Sequence, residues 1–233
     1  ALGFRNKIIN GDMRISQRGT TFTGAADSSY SLDRWKLRSS YTGGTTNITQ
    51  TTTGPSTLLY NSLKVAHATA TATVVGSQWY AIRQILEKST ARQLVAQSSF
   101  TISFWYKSNK TGNHAYNVDL SASGVIFTGT NLTQTGTFSV SAADTWEYKT
   151  IVISGYTVTG SGANLETDSG CFLSFGFSVS GQTTFSTLAS GDYFEIAGVQ
   201  VEAGSVATPF EHRPIGAELA LCQRYYEKTF PLD

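Results

Sequence analysis

The segment SFTISFWYKSN, residues 99–109, places the tightest limit on what this chain can fold into. In an extended chain Phe100, Ile102, Phe104 and Tyr106 fall on one face, and Thr101, Ser103, Trp105 and Lys107 on the other. Strict alternation is the signature of a half-buried strand, whereas a helix would scatter those large apolar side chains around its circumference. The pattern recurs along the chain. LKVAHATATATVV sets Leu63, Val65 and His67 against Lys64, Ala66 and Ala68. WYAIRQILE (79–87) sets Tyr80, Ile82 and Gln84 against Trp79 and Arg83. TWEYKTIVIS (145–154) sets Trp146, Tyr148, Thr150 and Val152 against Ile151 and Ile153. CFLSFGFSVS aligns Cys171, Leu173, Phe175, Phe177 and Val179. DYFEIAGVQVEAG (192–204) closes the series, and Gly198 inside it predicts a β-bulge.

Strands separated by turn-rich gaps, with no strand–helix–strand alternation, predict an all-β antiparallel sandwich. The sequence carries 22 Gly, 13 Phe and 11 Tyr with only 14% charged residues, a balance that suits strands and turns. Segment 37–58 reads either as a Thr/Gly-rich linker or as an exposed edge strand around Ile48, and the strand is preferred. Before it, Asn10-Gly11 lies between two short apolar runs and predicts a type I′ hairpin. In SLDRW, Asp33 and Arg34 are expected to pair while Trp35 plugs the sandwich.

Near its end the chain changes character. Pro214 suits the first turn of a helix, and IGAELALCQRYYEK follows. Ile215, Leu219, Cys222 and Tyr226 fall on one helical stripe, with Leu221 and Tyr225 on a second beside it. Both stripes pack on their own domain, or one of them faces another copy of the chain. The expected organisation is an N-terminal hairpin or arm over 1–36, a β-sandwich over 37–208, and a helix with its tail over 209–233.

Several function classes are disfavoured. The formal net charge is +1, without a run of like charges, so phosphate-driven nucleic-acid binding is not expected. No apolar run approaches the ~20 residues of a membrane-spanning helix, and ALGFRNKIINGD lacks the apolar core of a secretory leader. Cys171 and Cys222 sit in apolar stretches and read as buried free thiols. No cofactor or metal is expected. Asp27, Asp33, Asp192 and Glu195 are oxygen donors for a structural calcium, but no calcium-loop motif joins them. The carboxylates are dispersed and no nucleophile elbow, zinc or phosphate-loop motif occurs, so no enzyme activity is expected.

Six segments together carry a likeness: NKIINGDMRISQRGT, SLDRW, IRQILE, FTISFWYKSN, TWEYKTIVIS and IAGVQVEAGSVATPFEHRPIGAELALCQRYYEK. This ensemble resembles a widespread family of bacteriophage virion proteins, tail-fibre or tail-associated structural proteins. Their middle part is similar to the carbohydrate-binding jelly-roll modules of glycan-degrading enzymes. The resemblance spans nearly the whole chain. It implies a jelly-roll sandwich with a short C-terminal helix, a homotrimer, and a place on the virion surface, in the tail or the capsid, among other virion proteins. The role it favours is adhesion to a host-surface glycan. The alternatives are a purely structural decoration or fibre-adaptor protein, and a glycan-degrading enzyme.

Sugars offer hydroxyls and a flat C–H face, which proteins meet with exposed rings and polar side chains. Trp105, on the polar face of its strand beside Lys107, is the candidate stacking platform. The alternative is that a loop or second subunit covers that face. The segment 107–119 brings Asn109, Asn113, His114, Tyr116 and Asp119 into a candidate recognition loop, read alternatively as an ordinary hairpin. Arg83 is a further candidate for sugar hydroxyls, or a cross-strand hydrogen bonder. For self-association the candidates are Leu219, Leu221, Tyr225 and Tyr226, grouped by threefold symmetry.

Overall fold

The structure is a computed structural model and describes residues 3–41, 43–69, 72–75, 78–120, 125–127, 133–158, 171–179 and 182–228. In chain order the elements are β1 (Thr21–Phe22), β2 (Trp35–Ser39), β3 (Thr46–Thr51), β4 (Ser62–His67), β5 (Ala72–Thr73), β6 (Tyr80–Ile85), α1 (Lys88–Val95), β7 (Ser99–Ser108) and β8 (Gly112–Leu120). They continue with β9 (Val125–Phe127), β10 (Thr133–Val140), β11 (Glu147–Ser154), β12 (Tyr156–Val158), β13 (Cys171–Val179), β14 (Gln182–Thr183), β15 (Thr187–Leu188), β16 (Tyr193–Ala203) and α2 (Ile215–Gln223).

Two antiparallel sheets form a jelly-roll β-sandwich. The first has the order β1-β3-β4-β16-β7-β11. The second runs β10-β8-β13-β6-β2, with β14 beside β13. Neighbours such as β4 and β16 are far apart in sequence, so the sheets close only through long-range pairing. The alternation in β7 is realised as expected: Phe100, Ile102, Phe104 and Tyr106 are buried between the sheets. They meet Phe175 and Phe177 of β13 and Phe194 of β16, with Phe104 and Phe175 centroids 4.5 Å apart and Tyr106 stacked on Phe194 at 5.6 Å. Each buried ring of this kind contributes roughly 1.5–3 kcal/mol through the apolar area it removes from water. Trp35 plugs the sandwich, fully buried, with Nε1 donating to Asn10 O at 3.0 Å. Ile48 lies in β3, a strand rather than a linker, but not the exposed edge strand expected: β1 pairs outside it and Ile48 is fully buried.

Four further expectations need correction. First, residues 6–16 form no hairpin. Asn10 does take a positive φ of 57°, and Met13 N closes a turn onto Asn10 O at 3.2 Å. The flanking segments nevertheless pair with distant groups: Lys7 N donates to Val201 O at 2.8 Å, and the Ile9 backbone exchanges two hydrogen bonds with the Gln84 carboxamide. Gly11 lies against the bulge that Gly198 makes in β16, where the register shifts between Ala197 and Gln200. Val199 N donates to Gly11 O at 2.9 Å, and a Cβ on Gly11 would sit 2.1 Å from Val199 O. Only glycine allows that backbone approach.

Second, Asp33 and Arg34 do not pair. Asp33 accepts from Gln17 N and Gln17 Nε2, both at 2.6 Å, while Arg34 Nη2 donates to Ile85 O at 2.5 Å. Adjacent residues in this turn point apart, because Arg34 has a φ of 72°. Third, the C-terminal helix ends at Gln223, so Tyr225 and Tyr226 lie beyond it in a turn onto Cys222 O. Its buried side chains are Glu218 and Cys222, and Ile215 is 51% exposed. Fourth, α1 was not foreseen. Its apolar residues Ala91, Leu94 and Val95 are buried at helical spacing, but three in a polar stretch are too few to stand out. Cys222 is a buried free thiol whose pKa is pushed up by that burial; the side chain of Cys171 lies outside the described residues.

Candidate functional site

The outer face of the first sheet carries an aromatic groove. Trp105 of β7 and Tyr148 of β11 are direct cross-strand partners, and both point away from the core because Phe104 and Ile151 point into it. Their rings lie 5.3 Å apart, inclined at 54°. On the other side of Trp105 the β16 bulge brings Gly198 to the groove, with a φ of 58°. A Cβ there would lie 2.8 Å from Leu59 and 3.3 Å from the Trp105 ring, so glycine keeps this space open. The walls are the loop at Ser56–Leu59 and the segment Pro209–His212, where the Phe210 and His212 rings meet edge to face at 5.0 Å. The enclosed volume is about 430 Å³. Ser56, Ser103 and His212 supply polar groups. Apolar surface is unusually open around it: Leu58 is 72% exposed and Tyr148 45%. Trp146 Nε1 donates to Thr53 O at 3.0 Å and ties the first wall to β11.

Lys107 lies one outward position along β7, next to the groove but engaged. Its Nζ is 3.0 Å from Glu195 Oε1 and sits 5.0 Å from the centre of the Trp146 ring. Glu195 is buried and also accepts from Ser62 Oγ at 2.9 Å.

The other candidate residues disperse. Segment 107–119 is neither a recognition loop nor a hairpin: it holds the end of β7, the short crossover from the first sheet to the second, and most of β8, and alternate residues of β8 turn into the core. His114 is fully buried. Its Nε2 donates to Lys110 O at 2.9 Å, which leaves Nδ1 to accept from Tyr106 OH at 3.0 Å. Burial pulls its pKa down to about 4. Tyr116 is buried in the same cluster. Neither contacts an external ligand from there. Asn109 staples the crossover turn between the sheets to the start of β16, donating to Gly191 O at 3.1 Å and accepting from Tyr193 N at 2.9 Å. Asn113 is exposed on β8 opposite Ser139.

Arg83 and Asp119 lie on the outer face of the second sheet. Arg83 aligns across the strands with Lys36, Ser174 and, through Ser174, Asn117. Burial first, then the charge of Arg38, lowers its pKa to about 10, and its guanidinium stands 4.7 Å from the Trp79 ring. Asn117 and Ser174 are fully buried, and among the described residues neither the Asn117 carboxamide nor the Ser174 hydroxyl has a hydrogen-bond partner.

The carboxylates weighed as cation ligands are engaged separately: Asp27 with Arg38, Asp33 with Gln17, Asp192 with Lys110 and Glu195 with Lys107. Among the described residues no three His, Cys, Asp or Glu side chains group as a metal site. The self-association candidates have partners in their own chain. Leu219 and Leu221 pack with Ile9, Ile15 and Cys222. The Tyr225 ring lies 3.4 Å from the Arg34 guanidinium, and its hydroxyl donates to Glu87. Arg18 sits 3.6 Å from the Tyr226 ring centre.

Tyr148, Phe210 and His212 line this candidate groove without having been singled out by the sequence. Tyr148 was legible as outward-facing on its strand, and Phe210 and His212 are held between Pro209 and Pro214.

Fold and groove together define a class, a jelly-roll β-sandwich with an open aromatic groove on one sheet. The chain matches no protein-family model and no curated protein. Among solved structures its neighbours include carbohydrate-binding modules. It is similar to the enzymatically active domain of bacteriophage CBA120 tailspike protein 4, at 16% identity and a TM-score of 0.45, over 86% of this chain and 22% of that one. It is similar to the CBM22-1 xylan-binding domain from Paenibacillus barcinonensis Xyn10C, at 12% identity and a TM-score of 0.43, over 80% of this chain and 94% of that one. A third is the family 11 carbohydrate-binding module from Clostridium thermocellum in complex with a beta-1,3-1,4-mixed-linked tetrasaccharide, at 11% identity and a TM-score of 0.39, over 81% and 98% of the two chains. The chain thus spans about a fifth of the tailspike chain.

Proposed function

We propose that this chain is a non-catalytic glycan-binding module of a phage virion surface, and that the groove over Trp105 and Tyr148 is its sugar site. The observation that carries the sugar site is the inclined pair of outward rings in an open groove with hydroxyl and imidazole groups on its rim. A pyranose ring laid on Trp105 meets an apolar face, while Ser103 and His212 lie within the same groove for its hydroxyls. The virion location rests on the sequence resemblance. So does a homotrimeric state, for which the half-exposed Ile215 on the C-terminal helix is the one added observation.

Glycan-array screening followed by calorimetry tests the site. Trp105→Ala is expected to weaken the best ligand about tenfold, or ~1.4 kcal/mol, with the thermal midpoint little changed. A protein that binds no glycan on the array loses this reading in favour of a purely structural virion role. For the trimer, light scattering of the wild type and of Tyr225→Asp decides: a wild type that is monomeric at high concentration rejects it.

A further inference from the structure

A second cavity, of about 370 Å³, opens between the N-terminal arm, α1 and α2, and it shares no lining residue with the aromatic groove. Its described lining holds four cationic side chains, Lys7, Arg34, Arg213 and Arg224, against one carboxylate, Glu87. Most of these charges are satisfied within the chain. Arg213 pairs with Glu218 at 3.1 Å, Arg224 with Glu87 at 3.0 Å, and Lys7 Nζ donates to Phe4 O and Gln93 Oε1.

Arg34 is the exception. It is only 6% exposed, and among the described residues it forms no ion pair and makes one hydrogen bond, to Ile85 O, with Nε buried and without a partner. The nearby Glu87 is already held by Arg224 and the Tyr225 hydroxyl. A buried guanidinium with no ion pair of its own is unfavourable, and here it is held by a residue at a φ of 72° with its plane against Tyr225 and only the shared Glu87 near by. Burial lowers the Arg34 pKa, outweighing the opposing influence of Tyr225, Tyr30 and Glu87. At the same cavity α1 begins. Its N-cap residue Glu87 makes no side-chain cap, and Ser89 and Thr90 of the first turn line the space. Uncapped N–H groups at a helix start attract anions.

The geometry points to an oxyanion site: the cavity takes a small carboxylate or phosphate group between Arg34, Arg224 and the first turn of α1. A planar carboxylate matches the guanidinium fork, and a phosphate matches the helix start.

The test follows the Arg34 side-chain Nε–H by ¹⁵N NMR while inorganic phosphate, glucuronate, glucose or sodium chloride is titrated at constant ionic strength. The expected result is a saturable shift with phosphate or glucuronate, and none with glucose or chloride. Saturation by glucuronate alone identifies an acidic sugar as the source, and saturation by phosphate alone a phosphorylated one. Arg224→Gln removes one cation and releases Glu87 to compete for Arg34, and should weaken binding about tenfold. Arg224 is exposed enough for that variant to fold even if Arg34→Gln does not. A shift that tracks ionic strength whatever the anion, or binding unaltered by Arg224→Gln, overturns the proposal. Trp105→Ala leaves this binding untouched, so the outcome is separable from that of the groove.

Discussion

Arg213→Met is the sharpest probe of how the C-terminal helix is attached. Arg213 and Glu218 are both buried, and Arg213 Nη1 reaches both carboxylate oxygens, at 3.3 and 3.1 Å. The same guanidinium donates to Ile8 O at 3.1 Å and to Asn6 O, while Glu218 Oε1 accepts from Asn10 N. Methionine fills much of the volume but leaves Glu218 buried with one backbone donor and leaves two arm carbonyls without theirs. Removing one partner of a buried pair costs about 3–5 kcal/mol, chiefly because the remaining charge is uncompensated. At ~2–4 °C per kcal/mol for a chain of this size, the thermal midpoint should fall by about 10 °C. Adding Glu218→Gln removes the stranded charge yet keeps an acceptor for Asn10 N, so the double variant should regain about half of the loss. Urea unfolding followed by tryptophan fluorescence measures all corners of the cycle, and Trp35, bonded to Asn10 O, reports on the region directly. Additive effects, or a loss below about 1 kcal/mol for Arg213→Met, would refute the claim that this pair locks helix to arm.

His114 gives a pH prediction. Its folded pKa of about 4 lies below the ~6.5 of an unfolded histidine, so the unfolded chain binds the extra proton between those values. Its contribution is therefore constant above about pH 6.5 and should fall by ~3 kcal/mol as the pH drops to 4. Urea midpoints across this range should lose that component of the slope in His114→Gln. Gly11→Ala forces a Cβ to 2.1 Å from Val199 O and should cost ~2–4 kcal/mol in thermal unfolding, as the arm lifts from the β16 bulge. Gly216→Ala is the contrasting case: nothing lies within 4 Å of its added Cβ, so the helix should gain ~0.5–1 kcal/mol.

Sequence was most informative where one rule acts locally. The alternation in β4, β6, β7 and β11 follows from a period of two against one buried face, and the two faces read from the sequence separate into a buried and an outer set in the structure. The Gly198 bulge was also legible, because a glycine inside an apolar strand has few other uses. Sites were less legible. Trp105 was readable as outward-facing, but the walls that make a groove of it come from residues 56–59 and 209–212, which no local pattern connects to β7. His114 and Tyr116 looked like loop residues because polar neighbours surround them. Their position two apart on β8 puts both in the core, and His114 is accommodated only because Lys110 O and Tyr106 OH satisfy its ring.

The hairpin misreading at Asn10-Gly11 has the same origin. A turn signal specifies local dihedral angles, and those were right at Asn10; it does not specify what the flanking backbone bonds to. Asn10 uses its carboxamide to hold Ile15 and Asp33 O, Asn6 bridges Val199 O and Val201 N, and Gln84 holds both sides of Ile9. These side chains replace a strand partner for the arm, and Arg213 adds α2 to the same lattice. His212 and Phe210 lie immediately before that anchor, so the second wall of the aromatic groove is fixed by the polar contacts that dock the helix. The C-terminal segment thus ties the β16 bulge, the arm and the groove wall into one unit. That accounts for a β-sandwich ending this stretch in a helix whose best-buried side chains include a charged one, Glu218.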